Sequence, residues 1–84
     1  MPSDSHDQEW TVRVSLEEDN GSVVAVAELI DSREGTLSAK GMFHTDTPDR
    51  HPAGARHELA TARALQRLAE LLVTSATERL SGSL

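Results

Sequence analysis

The chain has 84 residues with no Cys, one Trp, one Phe and no Tyr, so it makes one small domain with a thin aliphatic core and no disulfide to brace it. A formal net charge of −6 excludes a protein that grips nucleic acid indiscriminately by neutralising phosphates. No run approaches the ~18 apolar residues of a membrane span, and Met1–Trp10 lacks the apolar stretch of a signal peptide.

The absence of Cys fits a reducing cytoplasm, the expected location. Domains this small often gain stability by oligomerising, so a homodimer is expected. The charge is unevenly spread. Residues 1–39 carry −7, residues 40–67 carry +2, and residues 68–84 carry −1. Three of the four histidines, His44, His51 and His57, fall in the basic middle. That distribution leaves a local, site-specific contact with an anionic partner open.

Residues 1–8 are polar, with Pro2 near the start, and read as a disordered tail before a single domain over residues 9–80. Trp10-Thr11-Val12-Arg13-Val14-Ser15-Leu16 alternates without a fault, which predicts a half-buried strand with Trp10, Val12, Val14 and Leu16 toward the core. Asn20-Gly21 tolerates the positive φ of a tight hairpin, so the chain turns back antiparallel. Ser22 to Ile30 forms the second strand. Burying Glu28 without a partner is costly, so Val23, Ala25, Ala27 and Leu29 are assigned to the core, and Val24, Val26 and Ile30 to the outer face. Asp31–Gly35 is a turn by composition. Thr36 to His44 is the third strand, with Leu37, Ala39, Gly41 and Phe43 on the core face and Met42 outside. The small residues Ala25, Ala27, Ala39 and Gly41 allow a helix backbone to sit close.

Thr45 to about Ala55, with Pro48, Pro52 and Gly54, is a loop. A helix then runs from about Ala55 to between Val73 and Leu80, followed by a tail over residues 81–84. Leu59, Ala62, Leu65, Leu68, Ala69, Leu72, Val73, Ala76 and Leu80 recur at steps of three and four, and are expected to form its buried face. The expected fold is α+β: an antiparallel three-stranded meander crossed by one long C-terminal helix, β-β-β-α.

Arg56, Arg63 and Arg67 lie within ~40° of one another on the helical wheel, opposite that leucine face. With Lys40 and Arg50 they make a candidate phosphate-binding ridge, against the alternative of an ordinary solvated face. The outer-sheet residues Val24, Val26, Ile30 and Met42 make a candidate partner or dimer interface, against a mildly apolar open sheet face. His44, His51, His57, Asp46 and Asp49 match no metal-binding spacing, so neither a metal nor a cofactor is expected. Glu58, in the first helical turn, complements exposed N–H groups there. Trp10 and Phe43 are assigned to core packing rather than base stacking. With no Cys nucleophile, no Gly-x-Ser-x-Gly context and no Gly-rich phosphate loop, no enzyme is expected.

Trp10-Thr11-Val12, the Ala25/Ala27/Leu29 alternation, Leu37 to Phe43, Pro48-Asp49-Arg50 and Glu58-Leu59-Ala60-x-Ala62-Arg63-Ala64-Leu65 together resemble a small actinobacterial family of unknown function. The resemblance spans roughly residues 9–73 and implies a double-stranded-RNA-binding-domain-like fold, commonly dimeric, in proteins tied to stress and dormancy and likened to ribosome-hibernation factors. The family pattern Asn-Pro-x-Asp then Val-Pro-x-Ile-Gly-Asp-Glu-Leu is altered here, with Ala55 replacing Ile and Arg56-His57 replacing Gly-Asp. The resemblance brings no catalytic motif. Two functions follow as expectations: a non-enzymatic stress-associated protein that contacts the ribosome or structured RNA, and a protein-association or dimerisation module with no nucleic-acid contact. Neither DNA nor a membrane is an expected partner.

Overall fold

The computed structural model describes residues 9–31 and 35–82. The expected N-terminal tail and the middle of the second turn lie outside the described residues. Three strands, β1 (Thr11–Asp19), β2 (Ser22–Asp31) and β3 (Gly35–His44), form an antiparallel meander with β2 at the centre. A short 3-10 turn at Pro48–Arg50 leads into one helix, α1 (Ala53–Gly82). The expected β-β-β-α order is the observed one.

The register follows from the β1–β2 turn. Asp19 pairs with Ser22 across a two-residue loop, in which Asn20 has φ 45° and Gly21 φ 85°. Positive φ at both positions matches the right-handed twist of a hairpin. Gly21 is also buried, and its carbonyl accepts a hydrogen bond from Thr45 N at 3.0 Å, which ties the start of β2 to the end of β3.

The core is Val23, Ala25, Ala27 and Leu29 of β2 with Ala60, Ala64 and Leu68 of α1. Leu37, Ala39 and Phe43 of β3 and Val14 of β1 pack against it. The assignment of the alanine face of β2 to the core is therefore correct. Gly41, opposite Ala25, sits directly under the helix backbone: a Cβ there would collide with Ala60 O and Ala64 N. The floor beneath α1 is flat because its central residues are Ala and Gly.

That floor corrects the expected helix phase. The buried positions are Arg56, Ala60, Ala64 and Leu68, at steps of four. Leu72 is half-buried, but Leu59 and Leu65 are each 40% exposed, and Ala62, Ala69, Val73, Ala76 and Leu80 face solvent. The small floor admits the alanine line, where the helix axis can come close, and turns the leucine line aside.

A second correction concerns β1. Trp10, Val12 and Leu16 lie on the core side, yet they are 50%, 46% and 43% exposed. The helix packs on β3 and β2 and scarcely reaches β1, so only Val14 is partly covered. The helix also outruns the sheet. Thirty residues span ~45 Å, against ~33 Å for a ten-residue strand. From Ala76 onward every described residue of α1 is exposed.

Candidate functional site

The five cations proposed as an anion-binding ridge do not act together. Arg56 is on the sheet side of α1 and only 9% exposed. Its guanidinium grips Glu18 of β1 through Nη1, and its Nε donates to the His51 carbonyl at 3.2 Å. His57 Nε2 reaches the other Glu18 oxygen at 2.9 Å. The His57 and Arg56 hydrogen bonds hold the Glu18 carboxyl below its ordinary value of 4.5. Arg56 and His57 together clamp the start of α1 to the end of β1. The signal for this clamp was in the strand alternation. Glu18 continues the Val12, Val14, Leu16 series, so it points to the helix side.

Arg63 and Arg67 take the opposite flank of α1, above the free edge of β3. Arg63 donates from Nη1 to the Met42 carbonyl at 2.7 Å and lies 5.9 Å from the Phe43 ring centroid. An edge carbonyl is thereby satisfied, which blunts the edge of β3 against pairing with another chain. Lys40, Arg63 and Arg67 line one shallow groove there, together with Glu70. Three of the five predicted cations thus converge. Arg56 is committed elsewhere, and Arg50 sits exposed on the 3-10 turn, outside that groove.

Val24, Val26 and Ile30 lie half-buried on the outer sheet face, with Met42 exposed opposite Val24. Val24, Val26 and Ile30 form a strip one strand wide, widened beside Val24 by Met42 of β3. Cross-strand neighbours Glu17, Ser15, Lys40 and Thr36 flank it with polar side chains. More exposed apolar side chains lie on the other face: Val12 and Leu16 of β1, with Trp10 just before it, on the side of α1 that carries Leu65, Ala69 and Leu72. The side away from Arg63 is the β1 side, because Arg63 reaches the outer edge of β3. Reading β1 as half-buried core concealed this surface. The signal that reveals it is one of widths, since a single helix cannot cover three strands.

The histidines are dispersed among separate local contacts. His44 bonds Ser22 Oγ at 2.7 Å and Asp46 at 3.2 Å, and His51 meets the Phe43 ring edge-on at 5.9 Å. Among the described residues no three His, Asp or Glu side chains converge as metal ligands do. Among them, too, no helix is long and apolar enough to cross a membrane.

No curated protein matches this chain. A family model described as Rv2632c-like matches residues 8–84, nearly the whole chain and the entire fold just described, and the protein belongs to the Rv2632c-like family.

Proposed function

We propose that this domain performs no chemistry of its own and works as a protein-association module, its working surface being the bare half of the sheet beside α1. The observation that carries this reading is the exposure of Trp10, Val12 and Leu16 on the same sheet face that buries Val23, Ala25 and Ala27. Apolar side chains gathered in one patch, beside the Glu18 clamp, mark a surface that is covered by something else. A benzophenone amino acid at Val12, photolysed in living cells, should give a covalent protein adduct. The same group at Ser38, on the outer face, should give none. Equal yields at both positions would remove the reading.

The RNA or ribosome reading has one observation in its favour, the grouping of Lys40, Arg63 and Arg67 at the β3 edge. Glu70 in the same groove and the net charge of −6 weigh against it. Filter binding with duplex RNA near physiological salt tests it. Affinity in the micromolar range that falls with salt and with Arg67→Glu would restore it. The stress- or dormancy-associated, cytoplasmic setting belongs to the same proposal. A fluorescent fusion followed from growth into starvation checks both abundance and location.

A further inference from the structure

The two edges of the sheet are finished differently. Asp19 and Ser22 flank the two-residue turn, so they exchange both backbone hydrogen bonds. Bonded pairs recur at every second residue from there: Glu17 with Val24, Ser15 with Val26, Arg13 with Glu28. The N–H and C=O groups of Val12, Val14, Leu16 and Glu18 therefore point away from β2, toward the open side of β1. The same alternation carried across β2 turns Met42 to the open side of β3, and its carbonyl is the one that Arg63 occupies. The β3 edge is guarded there. Among the described residues nothing bonds to the open side of the β1 backbone. We propose that β1 takes a fourth strand from another protein, an extended segment with a basic N-terminal end that pairs antiparallel along this edge.

The edge has the form that such a strand needs. Pairing of β1 with β2 runs from Thr11 to Asp19 without a bulge, and β1 contains no Pro and no Lys. Those are the devices that ordinarily blunt an edge. In strand addition, main-chain hydrogen bonds hold the segment and alternate side chains select it. Residues directly opposite one another share a face of the sheet. One set of the added side chains therefore lies beside Val12, Val14 and Leu16, on the half of the sheet that α1 leaves bare, and apolar residues suit it. This inference rests on the association reading above; it names the mode of contact and the chemistry of the partner.

The other set lies on the outer face, where the charges of β1 choose the partner. Arg13 sits opposite Glu28 of β2, and Glu18, on the helix side, is held by Arg56 and His57. Glu17 and Asp19 sit opposite Val24 and Ser22 and form no ion pair among the described residues. Lys or Arg beside those two acids gains a cross-strand charge pair at each. Every pair in this sheet is antiparallel, and antiparallel pairing is the slightly stronger kind, so the bases stand at the N-terminal end of the segment. A second β1 is a poorer occupant, because each copy brings three acids and one base.

The test leaves the full chain unaltered and varies the probe. The capped peptide Lys-Thr-Lys-Val-Thr-Val-Thr-Val sets its lysines beside Asp19 and Glu17 and its valines beside Leu16, Val14 and Val12. Followed by nuclear magnetic resonance of the isotope-labelled protein, it should slow solvent exchange at the amides of Val12, Val14 and Leu16 and leave those of Lys40 and Met42 unchanged. The three valine N–H groups face β1, so methylating them should weaken binding on the order of 100-fold, at about fivefold for each lost bond. Methylating instead the residues beside Arg13, Ser15 and Glu17, whose N–H groups face away, should leave binding intact. No slowing at about 1 mM peptide, slowing on β3 instead, or equal loss from both methylated peptides would overturn strand addition. The reversed sequence should bind more weakly, and equal binding would overturn the direction and the charge assignment. Slowing at β1 that grows with protein concentration alone would give the edge to a second copy and overturn the outside segment. If the Val12 photoadduct forms in cells while the peptide leaves β1 unchanged, the association reading stands and strand addition falls; equal adducts at Val12 and Ser38 remove both.

Discussion

Gly41→Ala tests whether the backbone of α1 rests on the centre of the sheet. The added methyl lands 2.8 Å from the Arg63 carbonyl carbon and nearer still to Ala60 O and Ala64 N. Carbon contacts settle at about 3.5–4.0 Å, so the helix must rise by roughly 1 Å, and a gap of that size forfeits up to about half of each contact's attraction. All three obstructions are backbone, so no side chain can swing away. The cost therefore belongs at the upper end for overpacking, about 3 kcal/mol. A domain this size has a total stability of roughly 4–12 kcal/mol, so the variant still folds, with Tm lower by about 12–24 °C. Gly54→Ala is the control. It lies within α1 with nothing within 4 Å of the new Cβ, so it should hold or raise stability by up to about 1 kcal/mol. Thermal melts followed by circular dichroism compare the two. If Gly41→Ala melts with the wild type, the close seating of the helix is wrong.

Leu68→Ala should cost about 2–4 kcal/mol in a urea titration at high dilution, because Leu68 is buried on the alanine line; Leu65→Ala, on the open flank, should cost under about 1 kcal/mol there. Glu18 sets an acid limit: its folded value lies below 4.5, so the clamp contributes above that value and its contribution is lost as pH falls below it. Glu18→Gln should flatten that part of the stability–pH curve, measured by denaturant midpoints between pH 3 and 6, and an unchanged slope would show that the clamp does not couple to folding. Arg56→Met should lower Tm at pH 7 by removing both the Glu18 contact and the bond to the His51 carbonyl, with most of that difference gone in the Glu18→Gln background.

The strands were legible because a period of two leaves little freedom. The faultless alternation from Trp10 to Leu16, the Asn20-Gly21 turn and the cost of burying Glu28 together set which face of each strand points inward. Gly41 was legible as a point of close approach because a strand interior gains nothing else from a glycine. The helix phase was harder. Two apolar lines run along α1, one of alanines ending in Leu68 and one rich in leucine, and hydrophobicity alone favours the second. What decides between them is the sheet's relief, a property of another segment. Arg56 was misassigned for the same reason. Placed opposite the leucine line it looked solvated, but it heads the alanine line and finds Glu18 across the sheet.

The rotation of the helix and the open surface have one cause. Ala25, Ala27, Ala39 and Gly41 form a floor on which a helix gains most when its own small residues face down, because backbone then meets backbone with no void between. Leucines in that position would hold the helix away from Gly41 and leave a gap beneath it. Seating the alanine line therefore turns Leu65, Ala69 and Leu72 toward the side, above a strand the helix cannot also cover. A larger floor would have drawn the leucines in and closed the core of one chain. The small one, by admitting the helix so closely, leaves the most apolar flank of α1 and the core-facing side of β1 adjoining each other in the open.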